Sequence, residues 1–326
     1  MRPLVGSQPL AVNEQISPMN RSLKVYRALA AALALSTAGA AWMVQRVLDE
    51  NELLAARVAR SRAATPASGP TPPAGDAPEI TLVVVGERLA TIERQNSTQS
   101  DISETYFGDS TSSMHMHVMG FAQTCPLHLH RTTEEATIIV GGVAEVTQTW
   151  GAAGALTTRQ GRYTAGALVR SPAFCGHEFR NPSDEHMLGN LVIAAPPFDG
   201  NFYVRPEDPR MLRGAEPFNL DLAAAHARFA SGAGPTERVV LPILQGRLSS
   251  LLLRGEVALA SDVAHPALVY VVAGAGDVRV GGHEAPLGAT HLVTLRARRP
   301  ATLRARDGAT LAAFIFHPHG EPAPAR

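Results

Sequence analysis

Two histidine-bearing clusters constrain this chain more than any other feature: His128-Leu129-His130 with Glu134-Glu135 close behind, and further along Pro172, His177 and Asn181. Successive side chains of an extended strand point to opposite faces, so His128 and His130 share one face and Leu129 takes the other. Two imidazoles on one face make half a metal site. A carboxylate and a third imidazole complete four N/O donors of the kind that suits Fe(II), Mn(II), Zn(II) or Ni(II). Between the clusters the chain reads as short β segments. Residues 135–146 are rich in Thr, Ile and Val, and residues 166–170 lead into Pro172, the spacing of neighbouring strands in one small barrel.

In these residues the chain resembles the cupin superfamily. That family's first motif runs Gly, five residues, His-x-His, three or four residues, Glu, six residues, Gly, and falls here on His128, His130, Glu135 and Gly142. Its second runs Gly, five residues, Pro-x-Gly, two residues, His, three residues, Asn, and falls on Gly166, Pro172, His177 and Asn181. Two positions depart: Ala122 stands where the first motif begins with glycine, and Phe174 replaces the middle glycine of the second, with Gly176 nearby. Only glycine enters positive φ freely, so the turn ahead of His177 is expected to change shape.

Glu134 followed by Gly141 also meets the looser spacing, and strand parity from His130 favours it. Glu135 instead sets Gly142 ahead of residues 143–146, where the family turns into its next strand. Glu135 is preferred, and it requires a bend at Thr132-Thr133 to reset the alternation.

The resemblance implies an all-β fold of two cupin-type jelly-roll β-barrels. It implies one divalent metal held by His128, His130, Glu135 and His177, with Fe(II) or Mn(II) favoured and Zn(II) or Ni(II) as alternatives, and Asn181 as a structural residue near the motif turn. Four protein donors leave positions open for a substrate carboxylate, enolate or hydroxyl, or for dioxygen. The expected function is an oxygenase-type metalloenzyme acting on a small organic molecule, with catalytic residues beyond the ligands unassigned. A metal-dependent lyase or isomerase comes next. The reading from another class is a non-catalytic, envelope-attached binding or sensory module.

The fold class expected for the whole chain adds an N-terminal apolar helix and a Pro/Ala-rich linker. Arg21, Lys24 and Arg27 precede an uncharged run at residues 28–44, and Ala38-Gly39-Ala40 follows its apolar core. A basic leader, an apolar core and a small-residue site fit an export signal. An uncleaved anchor is the alternative, and an Ala-rich soluble helix is a third. The barrels are thus expected outside the cytoplasm or attached to the membrane facing the periplasmic or extracellular side, with a cytoplasmic location as the alternative. The chain carries 29 basic and 29 acidic side chains, so it offers no basic field for nucleic acid.

Expected domains are residues 1–61 (leader), 62–78 (linker, Pro/Ala/Gly-rich), 79–205 (metal-binding barrel), 206–235 (connector with a helix near 221–230) and 236–326 (a second barrel with tail). Residues 80–85 open the folded part, and residues 191–198 close the first barrel. In residues 113–121, His115, His117 and Met119 fall on one strand face, and Met114, Met116 and Val118 on the other. His115 and His117 either contribute donors beside the metal or face solvent.

If Gly274 matches the motif glycine, the ligand positions of the second barrel are Ala260, Asp262, Ala267 and Arg299. That set holds no first-row metal as the intact site would. The second barrel reads as a structural or homodimer-forming duplicate. His265, His283 and His291 lack ligand spacing, and His317-Pro318-His319 reads as tail. Cys125 and Cys175 precede His128 and His177 closely; a disulfide, buried thiols and thiols that never meet all stay open.

Overall fold

Alternation of apolar and polar side chains writes the strands of this chain, and the same alternation decides which face of each strand becomes core. The computed structural model describes residues 79–95, 102–232, 235–262, 264–296 and 300–321, within a compact unit spanning residues 76–326. The expected leader and the whole of the linker lie outside the described residues, as does Arg299. Among the described residues no helix is long and apolar enough to cross a membrane.

The chain enters through β1 (Ile80–Val84) and α1 (Val85–Gln95). There follow β2 (Ile102–Gly108), β3 (Ser113–Met119), β4 (Thr124–Leu129), β5 (Glu134–Gly141), β6 (Val143–Ala152), β7 (Ala155–Thr164) and β8 (Ala167–Ser171). Next come β9 (Gly176–Arg180), β10 (Leu188–Ala195), β11 (Phe202–Tyr203), β12 (Asn219–Asp221) and α2 (Leu222–Ser231). The C-terminal half contributes β13 (Glu237–Val240), β14 (Leu248–Leu253), β15 (Glu256–Leu259) and β16 (Ala267–Val280). It ends with β17 (His283–Gly288), β18 (His291–Leu295), β19 (Ala301–Ala305) and β20 (Leu311–Phe316).

All pairings are antiparallel. A six-stranded sheet in the order β12-β8-β5-β10-β3-β2 and a five-stranded sheet in the order β11-β4-β9-β6-β7 build the first lobe. The eight C-terminal strands and β1, which pairs with β18, form a nine-stranded sheet around β16. The first β run therefore belongs to the second lobe, not the first. Its reason is packing: Ile80 and Leu82 meet the aliphatic interior of the second lobe, while Val83 and Val85 turn to the core shared by both.

Helix α1 was not expected in an all-β chain. Val85, Leu89 and Ile92 recur at helical spacing and are buried on one stripe. Leu89 lies so close over Gly141 and Gly189 that a Cβ on either glycine would stand within 3 Å of it. Helix α2 is capped by Asp221, whose carboxylate accepts from the Ala224 amide.

Met114, Met116, Val118, Leu191 and Ile193 face the second lobe and share a core there with Leu268, Tyr270, Phe314 and Phe316. The second lobe's own interior is filled by Leu251, Val269, Val271, Leu303 and Ile315, among others. His317-Pro318-His319 is not a tail. His317 is buried with its Nε2 3.4 Å from Arg238 Nη2, and His319 Nε2 stands 3.0 Å from Asp109 on the first lobe. His317 follows β20 directly and is carried inward by its packing, whereas His319 stays exposed.

The two departures from the glycine pattern do not reshape their turns. Ala122 has φ 50° and Phe174 φ 62°, both in the left-handed region that glycine would enter without strain. The Phe174 amide donates to His130 O at 2.7 Å and holds the turn ahead of His177 in place. Ala122→Gly is expected to raise stability by about 0.5–1 kcal/mol. Gly142→Ala is expected to cost about 2–4 kcal/mol, since its φ is 81° and a Cβ would stand 2.6 Å from Met187 O. Urea unfolding midpoints check both signs, with Gly154→Ala, open to solvent at φ 82°, as the strain-only control.

Candidate metal centre

The site forms where the two sheets of the first lobe face each other. Strand β4 carries His128 and ends at Leu129, which is buried on the opposite face. Its register with β9 sets His128 directly opposite His177, with ring centroids 4.2 Å apart. His130 lies just beyond the strand end. Glu135 reaches in from β5 of the other sheet. One donor atom from each of His128, His130, Glu135 and His177 lies within 4.8 Å of the others, and all four residues are buried.

The bend at residues 130–133 decides between the adjacent glutamates. Asp199 accepts from the Arg131 and Thr132 amides and from Thr132 Oγ1, while Thr133 Oγ1 donates to Pro197 O. This pinned loop resets the alternation, so Glu135 points in and Glu134 pairs with Arg170.

Hydrogen bonds fix each imidazole in one tautomer. Nδ1–H of His128 donates to Pro126 O at 2.8 Å, that of His130 to Gly200 O at 2.9 Å, and that of His177 to Cys175 O at 3.1 Å. Each ring thereby turns its Nε2 lone pair inward. The Glu135 carboxylate is held by Thr137 Oγ1, which donates to Oε1 at 2.6 Å. Its Oε2 faces His130 Nε2 at 3.2 Å and His177 Nε2 at 3.6 Å, and His177 Nε2 is buried with no hydrogen-bond partner. Acceptors thus face acceptors, an arrangement that a divalent cation satisfies at once. The donor set fits a divalent transition metal.

Electrostatics agree. Burial, reinforced by His177, depresses the His128 imidazole to about 3. Burial also works against charge on His130, but the Glu135 carboxylate outweighs it and the net effect is upward. For Glu135 burial alone would raise the carboxyl; His177 and His130 override it and hold it well below the usual range. The centre is built to keep an anion beside a cation.

A cavity of about 230 Å³ opens beside these residues, and His128 and Glu135 line it together with Phe179, Phe198, His115 and His117. The two histidines of β3 thus face the cavity, not solvent, and burial depresses His115 to about 4. Thr137 and Asn190 also line it. Sequence reasoning missed Thr137, Asn190 and Asp199. Thr137 sits at the parity of Glu135 and was legible from strand alternation, whereas Asn190 and Asp199 depend on long-range pairing.

Asn181 donates from Nδ2 to Gly120 O and His186 O and accepts from the Ser183 amide, tying the motif turn to its neighbours. No disulfide joins Cys125 and Cys175, so that alternative is not realised. Cys125 lines the cavity, and burial pushes the Cys175 thiol up to about 12. In the second lobe Ala267 is buried among aliphatics and Asp262 pairs with His265. Among the described residues the first-lobe group is the one cluster placed to hold a metal.

No family model and no curated protein matches the chain. Solved structures do. The chain superposes on a salicylate 1,2-dioxygenase from Pseudaminobacter salicylatoxidans with TM-score 0.52 and 16% identity, over 82% of this chain and 93% of that one. It superposes on a cupin 2 conserved barrel domain protein from Leptotrichia buccalis with TM-score 0.50 and 11% identity, over 73% of this chain and 96% of that one. The chain has the cupin fold, in a bicupin-like arrangement of two β lobes. At such identities the likeness carries the fold alone.

Three imidazoles held neutral by burial set the acid response of the metal-free protein. His128, depressed to about 3, and His115 and His317, each depressed to about 4, stay neutral in the fold while the unfolded chain takes up protons near pH 6.5. The unfolded state then binds more protons, so stability falls as pH drops from about 6.5 toward 4, by up to about 1.4 kcal/mol per unit for each group. His130, raised, opposes this: its contribution is full below the unfolded value and fades as pH rises through the folded one. Thermal unfolding with chelator between pH 7 and 4.5 is expected to show a steadily falling midpoint; a flat or rising one contradicts the assignment.

Proposed function

We propose that this protein is a single-metal cupin enzyme of the oxygenase type, acting on a small organic molecule through a divalent ion held by His128, His130, Glu135 and His177. The observation that carries this reading is the convergence of three Nε2 atoms and a carboxylate within 4.8 Å, at the wall of a cavity large enough for a small substrate. The fold shared with a dioxygenase is consistent with it. When bound, an ion such as Fe(II) supplies Lewis acidity and one-electron chemistry at its open positions; Mn(II), Zn(II) and Ni(II) suit the same donors.

The protein's own residues do the rest. The carbonyls of Pro126, Cys175 and Gly200 orient the three rings, and Thr137 fixes the carboxylate. Phe198 packs against His130 and His115 at ring distances of 5.0 and 5.4 Å. His115 and His117 offer hydrogen bonds to a substrate in the cavity. For location, the basic leader and apolar run argue for export or membrane attachment.

Metal analysis of residues 79–326 is expected to find about one Fe or Mn per chain after anaerobic loading. His128→Ala and His177→Ala lose it. Thr137→Val weakens metal affinity about 10–100-fold while leaving the fold intact. Oxygen consumption that needs both the metal and a hydroxylated aromatic or enolic substrate is the expected activity. Stoichiometric metal whose coordinated water never exchanges, with no turnover, would instead mark a binding module.

A further inference from the structure

The wall of the cavity opposite β4 and β9 carries a registered polar row. Antiparallel pairing sets Ser103 of β2 opposite His117 of β3, and His117 opposite Asn190 of β10. Directly opposed side chains on one face stand about 5 Å apart at Cβ, so Ser103, His117 and Asn190 make one transverse band, and all three line the cavity. On β10 the inward positions step from Ala194, paired with Glu135, through Val192, paired with Thr137, to Asn190. Each step is about 7 Å along the strand. The band therefore lies at the far end of the cavity from the ion.

Asn190 is 2% exposed, and its Oδ1 is buried with no hydrogen-bond partner. An unmet buried acceptor costs about 1–3 kcal/mol, a cost that a hydrogen donor on a bound molecule removes. No Arg or Lys side chain is among the described residues lining the cavity. A carboxylate brought to this end would lose its hydration with no Arg or Lys to meet it. Phe179 and Phe198 supply flat apolar walls.

We propose that the substrate is a small hydroxylated ring that is uncharged at its inner end, where it carries a hydroxyl or amide donor that hydrogen-bonds to Asn190 within the Ser103–His117–Asn190 band. This rests on the metal reading above for the outer end alone, where the substrate would meet the ion. Asn190 thus becomes a specificity residue, acting on the substrate and not on the ion.

Three probes share a catechol head and differ only in the arm: 3,4-dihydroxyphenylethanol, 3,4-dihydroxyphenylacetate and 4-ethylcatechol. Their affinities are compared by calorimetry on the full chain loaded with Zn(II), which does not oxidise them. The hydroxyethyl probe is expected to bind about tenfold tighter than either of the others, the worth of one well-placed buried hydrogen bond. Asn190→Leu is expected to erase its advantage over 4-ethylcatechol without changing metal content. Equal or tighter binding of the carboxylate, no binding of any probe, or an unchanged ranking in Asn190→Leu overturns the inference. The ranking in the unmodified chain decides even if that variant fails to fold. Metal content is measured on the same samples, so a failure of the metal reading is seen separately from a failure of the ranking.

Discussion

Everything in the first lobe depends on one unfavourable meeting: three imidazole lone pairs and a carboxylate aimed at a common point away from water. Unrelieved, such a cluster repels itself and pays for desolvation as well. The protein nonetheless fixes it, spending a backbone carbonyl on each Nδ1–H and a threonine hydroxyl on Glu135. A divalent cation turns every one of these repulsions into attraction, which is why the arrangement reads as a metal centre rather than as a buried salt bridge.

The fold supplies rigidity by dividing its faces. On β3 and β10 one set of alternating side chains packs into the core between the lobes, through Met114, Met116, Leu191 and Ile193, while the other set, His115, His117, Asn190 and Val192, looks into the cavity. The second lobe uses the same alternation differently. Its interior is closed by Leu, Val and Ile side chains, so it serves as a packed platform, and it borrows β1 to extend its sheet. Its apolar interior and the polar interior of the first lobe are two outcomes of one strand pattern.

Much of this was legible in the sequence, because His128 and His177 sit in short strands whose parity follows from local alternation, and His130 comes just past the end of β4. His128 and His130 share a face, the two faces of residues 113–119 separate as written, and α2 begins at its Asp221 cap. Other features were not legible. The pairing of β1 with β18 joins residues far apart in the chain, and no local signal states it. Helix α1 is marked only by the spacing of Val85, Leu89 and Ile92, and its mostly polar composition hides it behind a strand-like run. The choice of Glu135 over Glu134 turned on a loop pinned by Asp199, a contact across more than sixty positions. Ala122 and Phe174 show that a motif glycine reports a backbone conformation, which another residue adopts when neighbouring hydrogen bonds over-determine it.

The most direct test is the metal's own environment, read by X-ray absorption on the loaded protein or by anomalous diffraction from its crystals. The account predicts three imidazole nitrogens and one carboxylate oxygen at about 2.0–2.2 Å, with remaining positions taken by exchangeable solvent, and the loss of one nitrogen in His177→Ala. A shell without imidazole, one that includes Cys125 sulfur, or an ion bound by His115 and His117 in place of His128 and His130 would contradict it.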